Sequence, residues 1–384
     1  MKLPRLWRPG GGRAEAPVDA RPARLRISER VFGSVEYATT HRDAQWLSAW
    51  PATRLELPPA IEYGHLRADF RSKLDERIPE LGVLRLQRGC VLGIHGWIFS
   101  QAGDLLPEHS WYGMHVDELR EQFPDRPRPI RREEGVVASL VSDFCGFNYG
   151  HFLLDGLGRL ALLEQAGIAL TDIDRFIITT PNRAAERLLE RAGVPMSRCI
   201  RTEPGTAIQP DVLLAPSFPG ARRSYRPWLP PFLQRHLLVQ PPGPPHRRLY
   251  LPRATNRRIS NEEVLLPILL ENGFEVFDPA AHADPPAVFA EAAVVVGAHG
   301  AALSDLAFCQ PGARVLELIP TDHAQPFWYT LSWAAGLRYG YLMGISTGMR
   351  PPDARGKSFF DFEVDPAEFR EALAATLDGA PPVR

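Results

Sequence analysis

The chain has 384 residues, 45% hydrophobic and 23% charged, with 44 basic against 45 acidic side chains and a net charge of −1. That composition excludes wholesale disorder, and the balanced charge lacks the basic footprint of a general nucleic-acid binder. The length suits two or three domains, since ~100–200 residues make one.

Residues 1–24 are rich in Gly, Pro and Arg and bury too little apolar surface to offset chain entropy, so they are expected to form a flexible arm. They contain no apolar stretch of the secretory type. No run approaches the ~18–20 apolar residues that span a bilayer. The four cysteines, Cys90, Cys145, Cys199 and Cys309, form no Cys-x-x-Cys pair and read as buried thiols of a reducing compartment. A cytoplasmic location follows, with peripheral contact at the inner face of the plasma membrane left open.

Short apolar runs cut by Pro and Gly, such as Val83–Leu86, Cys90–Ile94 and Gly96–Phe99, predict strands and hairpins between Ile27 and Pro129. Gly135–Val141 then reads as a buried strand. After it, Leu153, Leu154, Leu157, Leu160 and Leu163 fall at helical spacing within Tyr149–Ala166, and Gly167 stands at a C-cap position. Strand Arg175–Thr179, helix Arg183–Ala192 and strand Asp211–Ala215 continue the alternation, which predicts a parallel sheet covered on both faces. Four prolines within residues 239–245 mark a semi-rigid linker.

A second alternating unit begins with strand Arg248–Leu251. Ser260 followed by Glu263 is a capping-box pattern for a helix over Asn261–Glu271. Strand Phe274–Phe277, a short helix Ala287–Ala293, strand Ala293–Gly297, helix Gly300–Phe308 and strand Arg314–Ile319 follow. The pattern then weakens until Pro366–Leu377, a last amphipathic helix. The expected organisation is an arm (1–24), a first α/β domain (25–240), a second (246–350) and a C-terminal tail and helix (351–384).

Four segments offer chemistry. Gly297-Ala298-His299-Gly300-Ala301 carries a buried strand through a glycine turn into a helix start, a place for a phosphate at free backbone N–H groups; tight packing would account for the same glycines. Arg253, Arg257 and Arg258 follow the first strand of that unit at its carboxyl end, where ligands of open α/β sheets bind. They suit an anion, or else they are a solvated loop. His151 and Asp155 are four apart and share one helix face, so either could serve as a general base with the other assisting, or they form a surface pair. Glu317, a lone carboxylate in an apolar strand, needs a partner, whether ribose hydroxyls or an arginine. Asp172-Ile173-Asp174 precedes a strand and so lies at the end of the sheet away from ligands; no metal-ligand spacing occurs elsewhere.

Together these segments resemble glycosyltransferase family 61. The matches are Asn148-Tyr149-x-His151-x-x-x-Asp155, then Arg253-x-x-x-Arg257-Arg258-x-x-Asn261, then Gly273–Val276, and last Val295-Val296-Gly297-x-His299-Gly300-Ala301 leading to Glu317. They run from about Val136 to Ile319; Ala298 departs from the proline of many relatives. The resemblance implies an α/β fold of GT-B type, with two Rossmann-like domains facing across a cleft and the C-terminal helix returning to the first. It implies an inverting, metal-independent transferase with no cofactor, acting on a nucleotide-diphosphate sugar and a glycan or lipid-linked glycan acceptor in surface polysaccharide synthesis.

On that reading His151 and Asp155 are the catalytic pair, and Asn148 and Tyr149 lie on the acceptor side. Arg253, Arg257, Arg258, Asn261, Gly297, His299, Gly300, Ala301 and Glu317 take the sugar nucleotide, with the diphosphate at Gly300–Ala302 and the ribose at Glu317. Two other classes fit parts of the pattern: a catalytically silent nucleotide-sugar-binding or scaffold protein, and a nicotinamide-dependent oxidoreductase. Neither unit has Gly-x-Gly-x-x-Gly at its first turn, which counts against the latter.

Overall fold

A computed structural model describes residues 23–121, 127–348 and 360–378. The arm read over 1–24 lies almost wholly outside these residues; Arg24–Leu25 forms a short strand antiparallel to Arg128 and Pro129. The fold is mixed α/β, with two sheets that each have a parallel core.

In the first sheet Cys199–Arg201, Arg175–Ile178, Arg128–Ser139 and Ala207–Pro216 lie side by side in parallel. Ala44–Trp50, Leu81–Gln87, Cys90–Leu92, Trp97–Phe99 and Leu105–Leu106 extend it as an antiparallel set beyond Ala207–Pro216. Near-continuous apolar text in Val137 and Ala138, both fully buried, is what a strand covered on two faces requires. Leaving the carboxyl end of that strand, the chain turns through Cys145–Phe147 into a helical run over 149–165.

This run has three pieces: α-helical Tyr149–His151, π-helical Phe152–Leu157 and α-helical Arg159–Gln165. Asn148 caps it, its side-chain oxygen accepting the His151 N–H at 3.3 Å. Gly167 ends it at φ +76°, a conformation that strains any residue with a Cβ. The leucines read as one helix face are buried, Leu153, Leu154, Leu157 and Leu163 completely. Asp174 accepts the Val136 N–H at 2.8 Å, a structural role at the far end of the sheet.

The second sheet has the parallel order Glu275–Val276, Arg247–Leu251, Ala292–Ala298, Arg314–Pro320 and Arg338–Ser346. Strand Ile61–Tyr63, far upstream in sequence, completes it by pairing in parallel with Gly340–Leu342. Helix Leu229–Leu237, helix Phe327–Ala334 and strand Arg338–Ser346 have no counterpart in the sequence reading. Among the described residues no helix is long and apolar enough to cross a membrane.

Two expectations fail for one reason. Ser260 does not close a capping box; its hydroxyl donates to the Phe362 carbonyl at 3.1 Å. Asn261 donates to the Val364 carbonyl at 2.7 Å and accepts the Val364 N–H at 3.2 Å. A returning segment more than a hundred residues away thus satisfies groups that the local pattern assigned to a helix end. The C-terminal helix, Pro366–Asp378, packs on the second sheet and against its upstream edge strand, where the Thr376 hydroxyl donates to the Tyr63 hydroxyl at 3.3 Å and Glu368 pairs with His65 at 2.5 Å. Phe369, Ala372 and Leu373 are buried in the second unit with Leu316, Leu318 and Leu342.

The two units meet along a shared apolar cluster that includes Leu157 and Leu229 from one and Leu303 and Leu306 from the other. Polar ties cross the same junction. The Tyr149 hydroxyl donates to Asp305 Oδ1 at 2.9 Å, Gln234 donates to the Ala307 carbonyl at 2.8 Å, and Arg191 pairs with Asp284 at 2.9 Å. Asp305 is completely buried, and burial pushes its carboxyl up to about 7.

Phe369→Ala should lower unfolding free energy by about 3–5 kcal/mol, read as a shift in denaturant midpoint, because a fully buried ring leaves a cavity. Between its ordinary value of 3.8 and about 7, Asp305 keeps a proton in the folded chain that the unfolded chain has lost. Folding stability contributed there falls as pH rises through that window. Asp305→Asn should therefore gain thermal stability relative to wild type at pH 8 compared with pH 5.

Candidate active site

A cavity of about 110 Å³ opens between the units. Asn148, Gly150, His151 and Tyr225 line it from the first; Arg257, His299, Gly300, Ala301, His323, Phe327 and Trp328 line it from the second. The second group stands on loops and helix starts that follow the carboxyl ends of parallel strands, where sheet geometry leaves room for a ligand.

On the first wall His151 donates or accepts through Nδ1 to Asp155 Oδ2 at 2.7 Å, the pairing expected of residues four apart on a helix. The ring lines the cavity, whereas Asp155 is fully buried behind it. Burial pushes the Asp155 carboxyl up, and the His151 ring pulls against that shift. Beneath, the buried Arg159 guanidinium donates to the carbonyls of Asp155 and His109. The π-helical turn falls at Asp155 itself, a widening common at functional positions.

The loop beside this pair is strained. Arg222 and Arg223 are both left-handed, at φ 57° and 60°. Lys73, almost wholly buried, holds the turn by donating to the Arg222 carbonyl and, at 3.1 Å, to Ser224. In that conformation the loop brings Tyr225 against Asp155 and lays the Arg223 guanidinium over Trp111 at 5.0 Å. Trp111 in turn meets the His151 ring edge-on at 6.1 Å.

On the second wall Arg253 donates to the His299 carbonyl at 3.1 Å and to the Asn256 carbonyl at 2.5 Å. A Cβ on Gly300 would fall on the Arg253 guanidinium, so only glycine admits this approach. Arg257, left-handed at φ 61°, reaches the cavity with a buried Nε that has no hydrogen-bond partner among the described residues. Burial lowers both guanidinium values, Arg253 to about 10. Ala301–Phe308 is a 3-10 helix, and its first bond, Leu303 N–H to the Gly300 carbonyl at 3.0 Å, leaves the amides of Ala301 and Ala302 ahead of it.

Other predicted residues lie elsewhere. Arg258 pairs with Asp361 at 2.6 Å, and Asn261 binds the backbone of Val364, so both anchor the returning segment. Gly297 is buried against Leu251 between paired strands. Tyr149 faces Asp305 and a second, larger cavity that Arg187, His282 and Ala302 also line. Glu317 is not free for a ribose. It is completely buried, with Oε1 on His299 Nδ1 at 2.5 Å and Oε2 accepting the Tyr339 hydroxyl at 2.5 Å.

Tyr225, His323, Phe327 and Trp328 were not anticipated. Pro326 ahead of Phe327-Trp328-Tyr329 is the one local sign of a helix start there; Tyr225 has none. Among the described residues no three His, Cys, Asp or Glu side chains gather to hold a metal ion.

No curated protein matches the chain. Residues 149–316, which run from the His151 helix to the strand of Glu317, match the family model of glycosyltransferase 61, and this stretch supplies His151, Arg257, His299, Gly300 and Ala301 to the cavity.

Proposed function

We propose that this protein transfers a sugar, with inversion, from a nucleotide-diphosphate sugar to a hydroxyl of a glycan or lipid-linked glycan in surface polysaccharide synthesis. The reading takes the two units as facing domains of GT-B type, working in the cytoplasm and free to meet the membrane surface. The observation that carries it is the convergence of His151 with Arg257, His299, Gly300 and Ala301 on one cavity, although they come from separate units.

The chemistry follows from the two walls. His151, oriented through Nδ1 by Asp155, takes the acceptor's hydroxyl proton on its other nitrogen. The oxygen attacks the anomeric carbon as the bond from that carbon to the diphosphate oxygen breaks on the opposite face. Negative charge builds on the departing diphosphate, next to Arg253, Arg257 and the amides of Ala301 and Ala302. Fixed charges and dipoles of this kind, already in place before reaction, are commonly the largest catalytic term. They do the work a divalent ion does in other transferases, so no metal is required.

His151→Ala should reduce kcat by about 10²–10⁴-fold, the range for a positioned general base, with little effect on donor KM. Asp155→Asn should reduce kcat as well, since an amide donating to Nδ1 leaves the wrong nitrogen protonated. Arg253→Ala should instead weaken donor binding by about 10–150-fold, the equivalent of about 1.5–3 kcal/mol for a charged hydrogen bond. Gly300→Ala should do the same by displacing that guanidinium. These constants come from transfer assays with a panel of sugar nucleotides. A chain whose melting temperature rises with no nucleoside diphosphate, and which neither transfers nor hydrolyses any donor, would overturn the proposal.

A further inference from the structure

Glu317, His299 and Tyr339 form a buried line across three neighbouring strands of the second sheet. Glu317 lies on the middle strand, Arg314–Pro320; His299 directly follows the strand on one side and Tyr339 lies in the first two residues of the strand on the other. Their exposures are 0%, 4% and 6%. One carboxyl oxygen meets His299 Nδ1 and the other accepts the Tyr339 hydroxyl, each at 2.5 Å. With Nδ1 committed, the imidazole lines the cavity, and Nε2 has no hydrogen-bond partner among the described residues.

We propose that Glu317 and Tyr339 are positioning residues that fix His299 with Nε2–H directed into the cavity, as a hydrogen-bond donor to the diphosphate of the sugar nucleotide. The ligand named here rests on the donor-binding reading above.

The count of protons decides what His299 offers. Tyr339 supplies the proton between its oxygen and Oε2, so only the proton between Oε1 and Nδ1 is in question. If the carboxyl–imidazole pair is neutral overall, one proton bridges it and a second sits on Nε2, whichever partner is written as charged. Loss of one proton leaves a carboxylate facing Nδ1–H and a bare Nε2, which repels a phosphate oxygen. Burial pushes Glu317 up to about 8 and depresses His299, with Arg257 and Arg253 depressing the latter further. At pH 7 the neutral pair and its Nε2–H therefore prevail.

The other groups facing the pair are His323, whose ring meets His299 at 5.1 Å, and Tyr339, with Tyr329 and Tyr341 packed behind it. Asp322 offsets the Arg257 charge. Burial holds all three tyrosines above their usual range, so they keep their protons across the window of interest.

Glu317→Gln is the decisive variant, because an amide reproduces the protonated carboxyl: its oxygen accepts from Tyr339 and its NH₂ donates to Nδ1. Titration of the intact protein with UDP, GDP, ADP and TDP gives the readout. Wild type should bind its preferred diphosphate evenly from pH 6 to 7.5 and lose about tenfold in affinity per unit above pH 8, as one-proton linkage requires. Glu317→Gln should match wild type at pH 7 and lose the alkaline decline, while Glu317→Ala should bind weakly throughout.

Nitrogen-15 spectra of histidine-labelled protein, with His299 assigned by its loss in His299→Gln, should show Nε2 protonated at pH 7 without any ligand. Glu317→Gln binding as poorly as Glu317→Ala at pH 7, or a bare Nε2 in wild type at that pH, would overturn the proposal. A wild type that binds none of the four diphosphates would overturn the donor reading and the ligand named here, and the spectrum would still decide the orientation.

Discussion

The close approach of two helix starts governs the site. Gly150 lies in the first turn of the His151 helix, and a Cβ there would sit 3.5 Å from both Ser304 and Trp328 of the second unit. Small residues at this crossing let the helical run at 149 and the helix at 301 come within reach of each other, and Tyr149 to Asp305 fastens them. The contact falls in the first turn of one element and one turn into the other, at Ser304 and Asp305, so His151 and Ala301 share one space. The apolar cluster spanning both units stabilises the arrangement without directionality; the small residues give it its register.

Around that crossing, charge is divided between groups that are satisfied and groups that await a partner. Arg159 is completely buried and spends its donors on carbonyls, and Arg258 is matched by Asp361. Arg253 also donates to carbonyls, those of His299 and Asn256, whereas Arg257 keeps a buried Nε with no hydrogen-bond partner among the described residues; burial lowers the affinity of each for its own proton. A cation held in that state gains from an anion more than a hydrated one does, since part of its desolvation has already been met by folding. Arg257 is therefore distinguished from its neighbours by its surroundings, not by its type.

That distinction also marks the limit of what could be read in the chain. The alternating units, the helix at 149–165, the glycine turn before Ala301 and the pairing of His151 with Asp155 are local, set by spacing along one element, and all are legible. Arg257 and Arg258 are adjacent and chemically identical in the text. Their separation is made by Asp361, 103 residues beyond Arg258. Glu317 announces itself as a carboxylate in need of partners, but strand neighbours choose Tyr339, which lies in a stretch whose pattern is too uniformly apolar to place. Ser260 shows the converse: a good local signal loses when a distant strand offers its hydroxyl and N–H the Phe362 carbonyl as acceptor.

Strand Ile61–Tyr63 carries a consequence for how the molecule can be divided. The prolines between the two α/β units suggest a place to cut, yet the far edge of the second sheet is supplied from the first sixty-odd residues. A fragment beginning after the prolines would expose the backbone of Gly340–Leu342 as an unpaired row, an invitation to pair with a neighbouring copy. The two units are thus laced together by sequence order as well as by contact. Evolutionary exchange of one half for another would have to bring its own edge strand.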